Sequence, residues 1–230
     1  MKNDVRLKGR KQKRKIIVYC EGEKTEPSYI KLLKKCHPNV EVVAREGSGI
    51  GCCIAFVDWA DRAFGNLNTL QQGKYDQKWL MFDCDRHGDF WEAVKKARKN
   101  GFKVAFSNMC IEYWFLLHFQ EDEMGKLKAP GEGGCSDRHI QMLNRHIDKY
   151  NKGRKDEDKV QHFDPEKKEV GEDFFDLMFA LDPTTKERRV DIAFRRAMTI
   201  HEMKKSMGAE FQESVTAVYE FLEEIGICHR

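Results

Sequence analysis

The amino-acid sequence predicts an α/β protein with a mostly parallel, four-stranded sheet that is flanked by helices and followed by a C-terminal helical annex. Short apolar runs alternate with segments of helical periodicity, an alternation typical of parallel sheets covered on both faces. The strand signals stop near residue 120, and the 230 residues suffice for one sizeable core plus a smaller helical part. We therefore expect a core at residues 15–120 and an annex at 121–230, with a charged insert near 151–170.

Four short runs rich in β-branched and aromatic residues predict the strands of this sheet. Each run is bounded by charged residues or by turn-forming residues such as glycine and proline, which limits its length. The four predicted strands are Lys15–Glu21, Val40–Ala44, Lys78–Asp83 and Phe102–Ser107.

Helices are predicted between these strands and throughout the annex. Apolar residues at helical spacing define them, and their ends carry typical signals, such as Pro27 in a first turn and Gly101 after a last one. Asp89 with Glu92 resembles a capping box. The predicted helices are Thr25–Cys36, Cys52–Phe64, Asp89–Gly101 and Ile111–Phe119 in the core, and Asp137–Tyr150, Gly171–Leu181, Pro183–Ser206 and Ala209–Ile227 in the annex.

Composition argues against a membrane or secreted protein. About 34% of the residues are charged, and no apolar run approaches the roughly 20 residues that a membrane-spanning helix needs. The N-terminus lacks the apolar stretch of a secretory signal, so we expect a cytoplasmic protein. Its eight cysteines include no C-x-x-C pair, which favours reduced thiols over a structural zinc site.

The first 14 residues form a predicted basic arm. The net charge of the chain is only +3, but eight basic residues fall within residues 1–15, against one acid. Such an arm suits the phosphate backbone of a nucleic acid, although a solvated tail that aids solubility has the same composition. The predicted nucleic-acid-binding residues of the arm are Arg10, Lys11, Lys13, Arg14 and Lys15.

Acidic side chains follow two of the predicted strands. Glu21 ends the first strand, and Asp83 and Asp85 lie at the end of the third. Residues two apart in an extended chain point the same way, with Cα atoms roughly 6.5–7 Å apart, so the two aspartates can share one hard cation. We predict that Glu21, Asp83 and Asp85 bind Mg²⁺ or Mn²⁺. Alternatively, the aspartates form a chance pair that caps the following turn.

Further charged residues near these strand ends are candidates for the same site. Glu112 lies in a very apolar segment, where a buried carboxylate needs a metal, an arginine or a helix end to compensate it, so its role is catalytic or that of an ion pair. Lys24 either contacts a substrate phosphate or is an exposed loop lysine. Glu26 is interpreted as a charge favoured by the helix N-terminus.

Three blocks of the sequence resemble a known family. Val18–Pro27 (VYCEGEKTEP), Phe82–Asp85 (FDCD) and Ser107–Phe119 (SNMCIEYWFLLHF) are similar to the signatures of RloB-like proteins, which are grouped with abortive-infection proteins of the AbiLii type. This family is similar to the Toprim group of topoisomerases, primases and nucleases. The resemblance implies a Toprim-like core, divalent-metal chemistry at Glu21, Asp83 and Asp85, and a role in restriction-linked or anti-phage defence.

The sequence therefore favours a metal-dependent nuclease that hydrolyses phosphodiester bonds in RNA, such as tRNA, or in DNA. No tyrosine is placed as a topoisomerase nucleophile. A toxic nuclease needs restraint, so we expect a regulatory or ATPase partner protein. Two other hypotheses remain open from the sequence: a non-catalytic nucleic-acid-binding or regulatory subunit of a defence system, and an enzyme acting on free nucleotides.

Overall fold

The architecture comes from a computed structural model, which describes residues 14–44, 52–84, 88–108, 110–122, 135–209 and 214–230. A five-stranded sheet forms the centre, with strand order β2-β1-β3-β4-β5. The strands are β1 Ile16–Cys20, β2 Val40–Ala44, β3 Gln77–Asp83, β4 Lys103–Asn108 and β5 Val215–Thr216. The α-helices are α1 Thr25–Leu33, α2 Cys53–Gly65, α3 Thr69–Gln72, α4 Phe90–Lys99, α5 Ile111–Leu116, α6 Cys135–Asn151, α7 Glu172–Phe179, α8 Arg189–Ser206 and α9 Val218–Glu224.

The prediction of an α/β fold with a largely parallel sheet is confirmed, but the number of strands was wrong. β1 to β4 pair in parallel, whereas β5 adds an antiparallel edge to β4. The register places Ser107 opposite Thr216, and their hydroxyl oxygens lie 3.0 Å apart. β5 has only two residues, too few for a periodic pattern, and it exists because β4 provides a partner. The prediction of one continuous helix over residues 209–227 was therefore wrong. β5 occupies residues 215–216, and the helix that follows it, α9, is shorter than predicted.

The strand order creates a switch in chain direction across the sheet. The chain leaves β1 to form β2 on one side and then returns to form β3 on the other side of β1. Right-handed connections in opposite directions place their helices on opposite faces of the sheet. In such sheets, ligands bind outside the carboxyl ends of the two strands at which the direction reverses, here β1 and β3.

Each face of the sheet is covered by packed aromatic side chains. On one face, Phe82 of β3 packs against Phe56 of α2 and Phe90 of α4. On the other face, Trp79 of β3 packs against Phe221 of α9. Because side chains alternate along a strand, Asp83 shares the face of Trp79.

One hydrophobic cluster runs through the described residues, from β1 to Cys228 near the C-terminus. Side chains also fasten the charged segment that precedes α7: Asn144 exchanges two hydrogen bonds with the backbone of Phe163, and Thr25 at the start of α1 donates to the carbonyl of Lys168. The free thiols are those of Cys20, Cys36, Cys52, Cys53, Cys84, Cys110 and Cys228. Within the same residues, no helix has both the length and the hydropathy to cross a bilayer.

The loop that follows β3 is tied to the start of α2. Asp89 was predicted to cap the helix that follows it, α4, but its carboxylate instead accepts hydrogen bonds from the amides of Ile54, at 2.8 Å, and Cys53, at 3.3 Å. Partial burial opposes ionisation of Asp89, but these hydrogen bonds lower its pKa. The sequence pattern could not reveal this contact because α2 lies 35 residues earlier in the chain.

Candidate active site

Two of the acidic residues predicted at strand ends lie at the switch point of the sheet. Glu21 directly follows β1, and Asp83 is the last residue of β3, its neighbour in the sheet. The amide of Glu21 donates to the carbonyl of Met81 at 3.0 Å, so pairing of the two strands continues up to this point. Both acidic residues are partly exposed. Asp85, Arg86 and His87 lie outside the described residues.

Asp83 is held by the start of the next helix. Its Oδ2 accepts a hydrogen bond from the amide of Ile111, the first residue of α5, at 3.1 Å. Its carbonyl faces the thiol of Cys53 at 3.7 Å. The carboxylate is therefore directed across the carboxyl end of the sheet toward α5, which carries Glu112.

Glu112 is the most buried of the predicted site residues that the structure describes. Its exposed fraction is 3%, and it lies in the first turn of α5. Ser136, from α6, donates its hydroxyl to Oε1 of Glu112 at 2.9 Å. Part of the compensation of this buried carboxylate thus comes from a hydroxyl of a residue after 121, a group that was not among the predicted compensating groups. Ser136 was not predicted as a site residue, since no local pattern links it to Glu112.

Glu26 joins this group and was not among the predicted site residues. It is 5% exposed in α1. Burial, together with the negative charges of Glu112 and Glu21, raises its pKa to about 7, although hydrogen bonds from its own amide and that of Gly22 oppose the shift. Helical spacing does place Glu26 on the buried face of α1 with Tyr29 and Leu33, a signal that could have identified it.

Gly22 allows the backbone to pass close to the carboxylate of Glu26. A Cβ atom added at Gly22 would lie 2.1 Å from Oε2 of Glu26, far inside van der Waals contact. The close approach of the backbone to this buried side chain therefore favours glycine in the E-G-E-K-T-E segment, since a Cβ atom would displace the Glu26 carboxylate. The cluster formed by Glu21, Glu26, Asp83 and Glu112 is called the acidic cluster below.

The donor chemistry of the acidic cluster suits a hard divalent cation. It brings carboxylates from α1, α5 and the ends of β1 and β3 to one edge of the sheet, and oxygen ligands are those that Mg²⁺ and Mn²⁺ prefer. Among the described residues, no three histidine, cysteine, aspartate or glutamate side chains already stand in an arrangement that could hold a metal. Asp85, an expected ligand, lies outside the described residues.

Three of the predicted basic residues are described, and they lie at opposite ends of the sheet. Lys24 is exposed beside the acidic cluster. Arg14 and Lys15 precede β1 and so lie at the amino ends of the strands, where Arg14 forms an ion pair with Glu224 and the Lys15 amide donates to Asp76 at 2.7 Å. Arg10, Lys11 and Lys13 lie outside the described residues.

A cavity of about 810 Å³ also lies at the amino ends of the strands. Its lining includes Arg14, His37, Phe179, Arg188 and Glu224, and none of the acidic cluster. The candidate active site is thus an open edge of the sheet, and this cavity does not contribute to it.

Comparison with known proteins identifies one family. The family model described as RloB-like protein matches residues 16–225. This range contains all the strands and helices described above. No curated protein matches the chain, and no solved structure matches it either.

Proposed function

This chain belongs to the RloB-like family, and from that premise we propose that it is a metal-dependent nuclease that hydrolyses phosphodiester bonds in nucleic acid and acts in anti-phage defence. The observation that supports this proposal most directly is the acidic cluster at the switch point of the sheet, in which burial and two neighbouring carboxylates raise the pKa of Glu26. Strongly perturbed carboxylates at such an edge are typical of functional sites.

A structural role explains the acidic cluster poorly. Burying a carboxylate is costly unless cations or hydrogen-bond donors compensate it, and the charges that act on Glu26 are negative. A fold selected for stability alone is expected to place apolar side chains here. Retained negative charge at an open edge instead favours recruitment of a divalent cation, which commonly bridges protein carboxylates and substrate phosphates.

Each residue then has a specific role. Glu21, Asp83 and Asp85 would hold Mg²⁺ or Mn²⁺, which when bound polarises a phosphate and lowers the pKa of a bound water. Asp83 is oriented by the Ile111 amide. Glu112 is held by Ser136, and Glu26, with a pKa of about 7, can accept or release a proton near neutral pH. Lys24 is exposed beside them and is placed to contact a phosphate of the polymer.

The test is cleavage of total tRNA, single-stranded RNA and plasmid DNA with Mg²⁺, Mn²⁺ or EDTA. We expect metal-dependent cleavage by the wild-type chain and a loss of at least about 100-fold in Asp83→Ala. Asp58→Ala is the matched control, because Asp58 is a partly exposed acid on α2 that pairs with Lys96 of α4 and does not belong to the acidic cluster. Both variants must keep the wild-type melting temperature within a few degrees.

Three outcomes would contradict the proposed metal ligand or the proposed nuclease. A folded Asp83→Ala variant with wild-type cleavage would exclude the proposed metal ligand. Binding of polymer with a steep salt dependence, but without cleavage under any metal, would favour the non-catalytic binding subunit. Preferential hydrolysis of free nucleotides would instead identify a nucleotide-acting enzyme.

A further inference from the structure

Three consecutive residues at the start of α5 are each fixed by a different side chain. The thiol of Cys110 lies 3.2 Å from Nδ1 of His139, the Ile111 amide donates to Asp83, and Glu112 accepts from Ser136. Ser136 and His139 both belong to α6, so two of the three contacts come from one helix. The segment that carries Glu112 is therefore held between β3 and α6.

The position of α6 is itself set by the core. Ile140, Leu143 and Ile147 are buried and follow His139 at helical spacing, so α6 presents an apolar stripe to the rest of the molecule. Ser136 lies at the start of the same stripe, because residues three and four apart share one face of a helix. Its hydroxyl is consequently presented to Glu112 by a packed helix and not by a loose loop.

We infer that Ser136 is a positioning residue for Glu112, an inference that rests on the proposed function. A carboxylate can only accept hydrogen bonds, and the Ser136 hydroxyl, which donates at 2.9 Å, fixes the orientation of Oε1 of Glu112. Partners of this kind hold site carboxylates in place in metalloenzymes. The region after residue 121 thus contributes to the geometry of the active site through α6.

The experiment compares Ser136→Ala, Ser136→Thr and the control Ser206→Ala in the full chain. Ser206 is exposed, and its hydroxyl donates to the Met203 carbonyl within α8, so its removal leaves the acidic cluster untouched. We measure kcat and KM for cleavage, the pH dependence of kcat, and Mn²⁺ affinity by electron paramagnetic resonance. Thermal unfolding verifies that each variant is folded.

We expect Ser136→Ala to lower kcat by about 10- to 100-fold with little change in KM, and to shift the pH dependence of kcat. Ser136→Thr, which keeps the hydroxyl, should restore most of the loss, and Ser206→Ala should behave as wild type. In a Glu112→Ala background, where the acceptor of the Ser136 hydroxyl is absent, Ser136→Ala should have no further effect, because residues that act through one contact are not additive.

The failures of the inference and of the function are distinguishable. If the wild-type chain cleaves and Ser136→Ala retains its kcat and pH dependence, only the positioning role is overturned. If the wild-type chain neither cleaves any polymer nor binds Mn²⁺, the proposed function fails and the positioning role fails with it. Should Ser136→Ala unfold, Ser136→Cys, nearly isosteric but a weak donor, takes its place and is judged by the same criteria.

Discussion

The two ends of the sheet hold glutamates in opposite electrostatic environments. At the carboxyl ends of the strands, Glu26 lies near Glu21 and Glu112, and burial with these like charges raises its pKa to about 7. At the amino ends, Glu224 receives hydrogen bonds from Arg14, Lys103 and Gln77. Partial burial of Glu224 opposes ionisation, yet these donors lower its pKa.

This difference shows what structural compensation of a glutamate looks like in this protein. At Glu224 the fold supplies two cations and an amide, and the ionised carboxylate links the chain before β1 to α9. At Glu26 the fold brings further carboxylates instead. The ionised form of a glutamate is thus favoured at one edge of the sheet and disfavoured at the other.

The largest effect on stability is expected from Gly22→Ala. Its new Cβ atom would overlap the buried carboxylate of Glu26, so we expect a loss of about 3 kcal/mol in the free energy of unfolding, the upper end of the range for overpacking. Urea denaturation at pH 7.5 measures it. Gly65→Ala is the control, because no atom lies within 4 Å of a Cβ at that position of α2.

The Gly22→Ala effect should depend on Glu26. In a Glu26→Ala background, where the overlapping carboxylate is absent, the added methyl group is expected to cost much less, and the two changes should be non-additive. A Gly22→Ala variant as stable as the wild type would contradict the close packing of this segment against Glu26.

The next effect is stabilisation by a divalent cation. Under the proposed function the native acidic cluster binds Mg²⁺ or Mn²⁺ and the unfolded chain does not. The cation at 100 times its dissociation constant should then raise the free energy of unfolding by about 2.7 kcal/mol. Denaturation with metal and with EDTA measures the difference. Asp83→Asn should abolish the stabilisation by metal, and Glu224→Gln should retain it. Equal stabilisation of the wild type and both variants would show that the cation binds outside the acidic cluster.

A smaller effect is expected from Glu26→Gln, and it should depend on pH. A carboxyl group whose pKa is raised from 4.5 to about 7 on folding binds more protons in the native state, so its contribution falls as pH rises through this window. Glu26→Gln removes that loss, and we expect it to stabilise the chain by about 1–2 kcal/mol at pH 8.5 and by less at pH 5. Denaturation at both pH values measures the gain.

The stability of the variant must be compared with that of the wild type at the same pH. The contribution of His118 to stability changes with pH in the opposite direction from that of Glu26. Burial lowers the pKa of His118 to about 3, so its neutral form stabilises the native state above its unfolded value of 6.5 and this stability is lost as pH falls toward 3. Equal effects of Glu26→Gln at pH 5 and pH 8.5 would contradict the raised pKa of Glu26.

The smallest effect is expected at the amino ends of the strands. Glu224→Gln removes an ion pair with Arg14 and Lys103, whose side chains are about half exposed, so we expect a loss of less than about 1 kcal/mol. Denaturation at low and high salt measures it, and the loss should shrink at high salt. A larger loss than that of Gly22→Ala would reverse the proposed contrast between the two edges.

Local patterns in the sequence determined much of the fold. Strand β2 and the positions of β1, β3 and β4 follow from short apolar runs, and the α/β class follows from their alternation with helices. Glu21 and Asp83 could be placed at the carboxyl ends of strands because parallel strands end at one edge. These features depend on neighbouring residues in the chain and are therefore readable from it.

Tertiary structure alone decided the rest. β5 forms because β4 offers it backbone partners. The Asp89 carboxylate accepts hydrogen bonds from α2 and not from α4, because the amides of Ile54 and Cys53 lie within reach. Ser136 meets Glu112 across 24 residues of chain, through packing of α6 on α5. Such contacts depend on which surfaces meet after folding, and the energy of burying apolar surface is non-directional, so no local pattern in the chain specifies them.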